Sequence, residues 1–127
     1  MKNRHFLKSL IYALQGIRDA FSQERNLRFH VAAANVVLVF AWFFGLTRTE
    51  WAVLILTVCA VLALELVNTA VEHAVDLSCP QKHPKAAAAK DVAAGAVLVA
   101  AVGAVGVAIV LFIRPDAWGN LFALWQK

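Results

Sequence analysis

The sequence predicts an all-α integral membrane protein with three transmembrane helices and an N-terminal amphipathic helix at the membrane interface. Hydrophobic residues make up 61% of the 127 residues and charged residues only 16%, whereas a soluble domain has about 45–50% and about 25%. Three long apolar stretches also follow one another along the chain. Together these observations indicate one membrane-embedded domain and exclude an ordinary soluble enzyme.

The three apolar stretches predict transmembrane helices over residues 28–47, 50–77 and 91–113. Each is long enough to cross a hydrocarbon core of about 30 Å, because an α-helix rises about 1.5 Å per residue. A loop is expected over residues 78–90, since this segment contains Pro80 and Pro84. The third stretch is rich in Ala and Gly, which allows close packing against other helices.

Residues 1–24 predict an amphipathic helix that lies in the membrane interface. Its apolar positions repeat at steps of three and four: Leu7, Leu10, Leu14, Ile17 and Phe21. Basic and amide side chains occupy most of the other side, which is typical of an interfacial helix. The alternative is a helix that packs on protein. No apolar core of a cleavable signal peptide is present in this segment.

The Lys and Arg residues predict the orientation in the membrane. Nine precede the first span or lie in the 78–90 loop: Lys2, Arg4, Lys8, Arg18, Arg25, Arg28, Lys82, Lys85 and Lys90. Three lie on the other side: Arg48, Arg114 and Lys127. Because basic residues concentrate in cytoplasmic segments, we expect the N-terminus and the 78–90 loop to be cytoplasmic.

The second span carries four polar residues that predict a functional site: Glu65, Asn68, Glu72 and Asp76. Their spacing places them within an arc of about 80° on one helical face. An ionisable residue at membrane depth costs about 2.5–3.5 kcal/mol, so several together imply a function or a partner. A bound divalent cation would relieve their repulsion, and Mg²⁺ prefers carboxylate oxygens. The alternative is a set of interhelical hydrogen bonds or ion pairs.

Further charged residues are expected at the same depth. Glu24 ends the amphipathic segment, and Lys90 and Asp91 open the third span. Acids that bind a metal beside cations that bind phosphate are the parts that phosphoryl transfer requires. A small ion-coupled carrier or scaffold would explain the acids but not the Lys90–Asp91 pair. A lipid phosphatase would need Arg and His residues at spacings that are absent from the sequence.

Three separated motifs resemble signatures of the prokaryotic diacylglycerol kinase / undecaprenol kinase family, in the expected order. The motifs are Glu24–His30, Glu65–Asp76 and His83–Leu98, and Tyr12 and Gly16 fit the family's surface helix. The resemblance covers nearly the whole chain, and the first and third motifs look more like the undecaprenol kinase branch. It implies a homotrimer of three-span subunits with active sites shared between neighbours.

The resemblance also implies roles for individual residues. Glu65 would be the general base on the lipid hydroxyl, and Glu24 and Glu72 would hold Mg²⁺ with the ATP phosphates. The ATP-binding residues would be Tyr12, Glu24, Glu72, Lys82, His83, Lys90 and Asp91. Asn68, Asp76 and Arg28 would support the site, and the role of His5 stays open.

The implied function is ATP- and Mg²⁺-dependent phosphorylation of a lipid alcohol in the bacterial cytoplasmic membrane. Undecaprenol is the expected substrate and undecaprenyl phosphate the product. The alternative substrate is diacylglycerol, which would give phosphatidic acid. The expected partners are ATP, the lipid alcohol and further copies of the chain, with no nucleic acid.

Overall fold

The computed structural model describes residues 2–113, which form four α-helices. These are α1 (Lys2–Gln23), α2 (Arg25–Phe43), α3 (Arg48–Ser78) and α4 (Pro84–Phe112). Helices α2, α3 and α4 are each long and apolar enough to cross a membrane. The predicted all-α architecture with three candidate spans is therefore confirmed, and the chain is a multi-pass membrane protein.

Helix α1 contacts the rest of the chain near its C-terminal end, where Ala20 is buried. Arg28 at the start of α2 donates from Nη1 to the carbonyl oxygen of Ser22 at 2.8 Å, which fixes the angle between the two helices. The apolar stripe of α1 remains exposed, including Leu7, Leu10 and Leu14. Its apolar side is therefore free to meet the bilayer or another subunit.

The turn between α2 and α3 is well defined by its residues. Gly45 adopts a φ of +62°, in the left-handed region that side chains disfavour. Thr47 caps α3 in a capping box: Glu50 N donates to Thr47 Oγ1 at 3.4 Å, and Thr47 N donates to Glu50 Oε2 at 2.7 Å. Because of these features, α2 ends at Phe43. The sequence had predicted that this helix would continue to residue 47.

A small hydrophobic core holds this turn to the far end of α4. Its buried members are Ala41, Phe44, Leu46, Leu54 and Leu111. The rings of Phe44 and Phe112 meet edge to face, with centroids 5.4 Å apart. Helix α3 packs along α4 over most of its length, whereas α2 and α4 make few direct contacts. This packing leaves a gap between α2 and α4.

The connection between α3 and α4 is shorter than predicted. The loop expected over residues 78–90 is wrong, because α4 begins at Pro84. His83 caps the helix, since its Nδ1 accepts a hydrogen bond from Lys85 N at 3.2 Å. Proline suits the first helical turn and the alanines that follow favour helix. Lys85 and Lys90 are therefore held on a helix.

Some expectations concern residues beyond this part of the chain. Arg114 and Lys127 entered the count of basic residues. Both lie outside the described residues 2–113. The predicted third span ends within one residue of the observed helix, which stops at Phe112.

Candidate active site

The polar face of α3 changes from buried to exposed along the helix. Glu65 is only 3% exposed and Asn68 only 6% exposed, and Thr69 is also buried. One and two turns further along, Glu72 is half-buried and Asp76 is exposed. Because the cost of burying a charged group is high unless it has a partner, Glu65 is the strongest candidate for a functional side chain.

Asn68 links this buried region to Glu72. Its Nδ2 donates to Glu72 Oε1 at 2.8 Å, within one turn of the same helix. The Oδ1 atom of Asn68 is buried and has no hydrogen-bond partner among the described residues. Buried polar atoms are rarely left unpaired. A hydrogen-bond donor from a substrate or from another subunit would satisfy Asn68 Oδ1.

Glu65 has charged and titratable neighbours from two other segments. His30 on α2, Glu72 on α3 and Glu24 between α1 and α2 all act on it electrostatically. The structure therefore places Glu24 and Glu72 within electrostatic range of Glu65. Carboxylates in a region of low dielectric constant repel each other strongly, so the arrangement favours a bound cation.

Glu24 and Glu72 are of the residue type that can share a magnesium ion with a nucleotide. Within residues 2–113, no group of three or more His, Cys, Asp or Glu side chains is arranged to hold a metal ion by itself. Mg²⁺ usually binds through one or two carboxylates and substrate phosphates, and it keeps several waters. Glu24 and Glu72 are a donor set of this kind, and both are half-buried.

Lys90 is held by Asp76 across the interface between α3 and α4. The Nζ atom of Lys90 lies 2.5 Å from Oδ1 of Asp76, and the two side chains are 33% and 65% exposed. Such an exposed pair contributes only about 0–1 kcal/mol. The interhelical ion pair that we considered as an alternative is therefore present for Asp76, and it is weak enough for Lys90 to turn toward a phosphate.

Lys90 also lines an open pocket of about 530 Å³ beside the α3–α4 connection, with Asp76, Lys82 and His83. The structure therefore groups three of the predicted ATP-binding residues. It does not bring the other four to this pocket, which are Tyr12, Glu24, Glu72 and Asp91. Asp91 is exposed on the next position of α4, and Tyr12 is 67% exposed on α1.

His30 belongs to the candidate site, although no role was predicted for it from the sequence. The sequence marked it only as the last residue of the juxtamembrane motif, yet it lines an apolar cavity and acts electrostatically on Glu65. The available signal was a single histidine about one turn into an apolar helix. Apart from its position next to Asn68, no feature of the sequence indicated that Thr69 is buried.

Comparison with known proteins gives consistent matches. The family model of prokaryotic diacylglycerol kinase matches residues 11–112. The undecaprenol kinase of Bacillus subtilis is 44% identical over 108 residues, which are 85% of this chain and 88% of that protein. The diacylglycerol kinase of Synechocystis sp. is 45% identical over 112 residues, 87% of this chain and 64% of that protein. The diacylglycerol kinase of Haemophilus influenzae is 36% identical over 96 residues, 76% and 81% of the two chains.

Proposed function

The chain belongs to the prokaryotic diacylglycerol kinase family, and from that premise we propose that it phosphorylates undecaprenol with ATP. It is a lipid kinase, as its relatives are. The observation that carries the proposal is the burial of Glu65 in a helix apolar enough to cross a membrane, within electrostatic range of Glu24 and Glu72. A carboxylate in that position would accept the proton of a lipid hydroxyl.

Each acid has a separate task in this reaction. Glu65 accepts the proton of the lipid hydroxyl, whose oxygen then attacks the γ-phosphorus of ATP while the bond to ADP breaks. Glu24 and Glu72 would hold Mg²⁺ with the ATP phosphates, and the ion would supply neutralisation of phosphate charge. Asn68 fixes Glu72 through its hydrogen bond. The charge that develops in phosphoryl transfer is thereby met by fixed groups.

The nucleotide lies on the side of the α3–α4 connection in this proposal. Lys90 leaves Asp76 to pair with phosphate, and Lys82 and His83 line the same pocket. The proposed contacts of Asp91 and Tyr12 with the nucleotide lie at the edge of this region. Arg28 supports the site by tying the end of α1 to α2. The domain consists of residues 1–127, with α1 in the interface and α2 to α4 in the membrane.

A homotrimer with shared active sites accounts for several features of the single chain. Large apolar residues on α3 and α4 are exposed, including Leu56, Val99 and Val102. Tyr12 does not line the pocket that Lys90 lines. A neighbouring subunit would supply a second surface helix.

We expect the N-terminus and the α3–α4 connection to be cytoplasmic, because most basic residues lie there. Cys79 in that connection and Cys59 in α3 are free thiols. In a Cys59→Ala background, a membrane-impermeant maleimide should label Cys79 only in inverted vesicles. A Thr49→Cys, Cys79→Ala protein should be labelled only in right-side-out vesicles. The reversed labelling pattern would place the proposed nucleotide site on the side of the membrane that faces away from the cytoplasm and its ATP. It would therefore contradict the proposed site.

Undecaprenol should be a better substrate than a diacylglycerol. A polyprenol presents a primary alcohol without ester carbonyls, and the cavity that ends within one turn of Glu65 is lined almost entirely by apolar side chains. The measurement compares undecaprenol and dioleoylglycerol at equal mole fraction in the same mixed micelles with Mg-ATP. We expect a larger kcat/KM for undecaprenol. A larger value for dioleoylglycerol would assign the diacylglycerol kinase activity named in several relatives, and would leave the chain a lipid kinase.

A further inference from the structure

An apolar cavity of about 340 Å³ lies between α2, α3 and α4. Its volume is within the range of about 300–1,000 Å³ that is typical of small-molecule sites. It exists because α2 and α4 make few direct contacts and because small side chains line both helices. The alanines of its wall are Ala33, Ala34, Ala101, Ala104 and Ala108.

The wall of this cavity offers almost no hydrogen-bond donors. Its only polar residues are His30 and Thr57. The Thr57 hydroxyl already donates to the carbonyl oxygen of Val53 at 2.8 Å. A buried ester carbonyl would therefore lose its hydrogen bonds to water without replacement, at about 1–3 kcal/mol, whereas hydrocarbon loses nothing.

The cavity ends next to the proposed general base. On α3 it runs from Leu54 to Leu62, a length of about 12 Å at 1.5 Å per residue, and Leu62 is within one turn of Glu65. His30 lines the cavity and also interacts electrostatically with Glu65. The ring of Phe29 meets the imidazole edge to face, with centroids 5.8 Å apart.

A hydrogen-bond acceptor without a partner lies beyond the cavity, on the far side of Glu65. Among residues 2–113, Asn68 Oδ1 is buried and finds no donor, within one turn of Glu65 on the same face of α3. A molecule that fits both regions needs a hydroxyl at one end and hydrocarbon directly behind it. A prenol has this order of groups, whereas a diacylglycerol has ester groups within a few bonds of its hydroxyl.

We propose that this cavity holds the first isoprene units of the lipid alcohol and thereby selects a prenyl chain over glyceride esters. The proposal rests on the lipid kinase function argued above and deepens it. It assigns Ala34 and Ala104 as specificity-determining residues, since larger side chains there would occupy the space of the prenyl chain. His30 lies where the apolar chain gives way to the reacting hydroxyl.

The test fills the cavity from two helices. Ala34→Leu and Ala104→Leu each place a larger side chain in it, and Ala32→Leu is the matched control, because Ala32 is exposed on α2 and does not line the cavity. We expect the ratio of kcat/KM for undecaprenol to that for dioleoylglycerol to fall by about tenfold or more in both cavity variants. This ratio is independent of the fraction of folded protein, and the control should keep it.

The outcomes separate the cavity from the function itself. If the wild-type protein phosphorylates undecaprenol but the ratio in both cavity variants equals that of Ala32→Leu, the cavity does not bind the chain and the inference is wrong. If the wild-type protein phosphorylates neither lipid, the proposed function itself is overturned before any variant is compared.

Discussion

Replacing Glu65 by glutamine is expected to reduce phosphorylation of the lipid alcohol by about 10²- to 10⁴-fold, the usual contribution of a general base. Glutamine preserves the size of this side chain, which is only 3% exposed, but cannot accept the hydroxyl proton. Glu24 and Glu72 stay in place, so Mg-ATP should bind with nearly unchanged affinity. Turnover in mixed micelles and ATP binding by equilibrium dialysis give the two measurements.

Glu50→Gln is the matched control for this experiment. Glu50 lies at the opposite end of α3, and glutamine at the third position of a helix still supports a capping box. We expect this variant to keep most of its activity. Near-normal turnover in Glu65→Gln would contradict the assignment of Glu65 as the base, whereas loss of both turnover and ATP binding would indicate a structural role.

The gradient of burial along α3 explains how one helix face supports two kinds of acid. Glu65 is buried, and Glu72 is half-buried about two turns nearer to the α3–α4 connection. About two turns of helix span roughly 11 Å. The proposed mechanism accordingly gives proton transfer to the buried glutamate and metal binding to the more accessible one.

The sequence predicted those features that one helix determines alone. The common face of Glu65, Asn68 and Glu72 follows from helical periodicity, and the spans follow from the length of the apolar stretches. The start of α4 at Pro84 was missed, because proline is compatible both with a loop and with the first turn of a helix. The structure decides between these two possibilities, because the His83 side chain caps the start of α4.

Contacts between helices could not be predicted in the same way. The ion pair of Lys90 with Asp76 and the approach of His30 to Glu65 depend on how α2, α3 and α4 pack. Packing in a membrane depends on shape and small residues more than on hydrophobic pattern. The apolar cavity could not be predicted from the sequence for the same reason. Nothing in the sequence distinguishes the alanines that line the cavity from other alanines that pack closely against a helix.

Replacing Glu72 by glutamine should have a different effect from the change at Glu65. The amide oxygen of glutamine can still accept the hydrogen bond that Asn68 Nδ2 donates to Glu72 Oε1 at 2.8 Å. The change therefore removes a negative charge and keeps the local geometry. Because Mg²⁺ prefers charged carboxylate oxygens, we expect the Mg²⁺ concentration for half-maximal ATP binding to rise by about tenfold or more.

The measurement is an ATP-binding titration with Mg²⁺ on the purified protein in micelles, without lipid alcohol. Glu24→Gln should show the same shift, since both acids are proposed to hold the same ion. Glu65→Gln and Glu50→Gln should not shift the Mg²⁺ dependence. Glu65 is proposed to act on the lipid, and Glu50 lies about 33 Å from Glu72 along α3. An unchanged Mg²⁺ dependence in both Glu72→Gln and Glu24→Gln would show that the ion is held elsewhere. A shift in Glu72→Gln alone would instead assign the ion to α3 and remove Glu24 from the site.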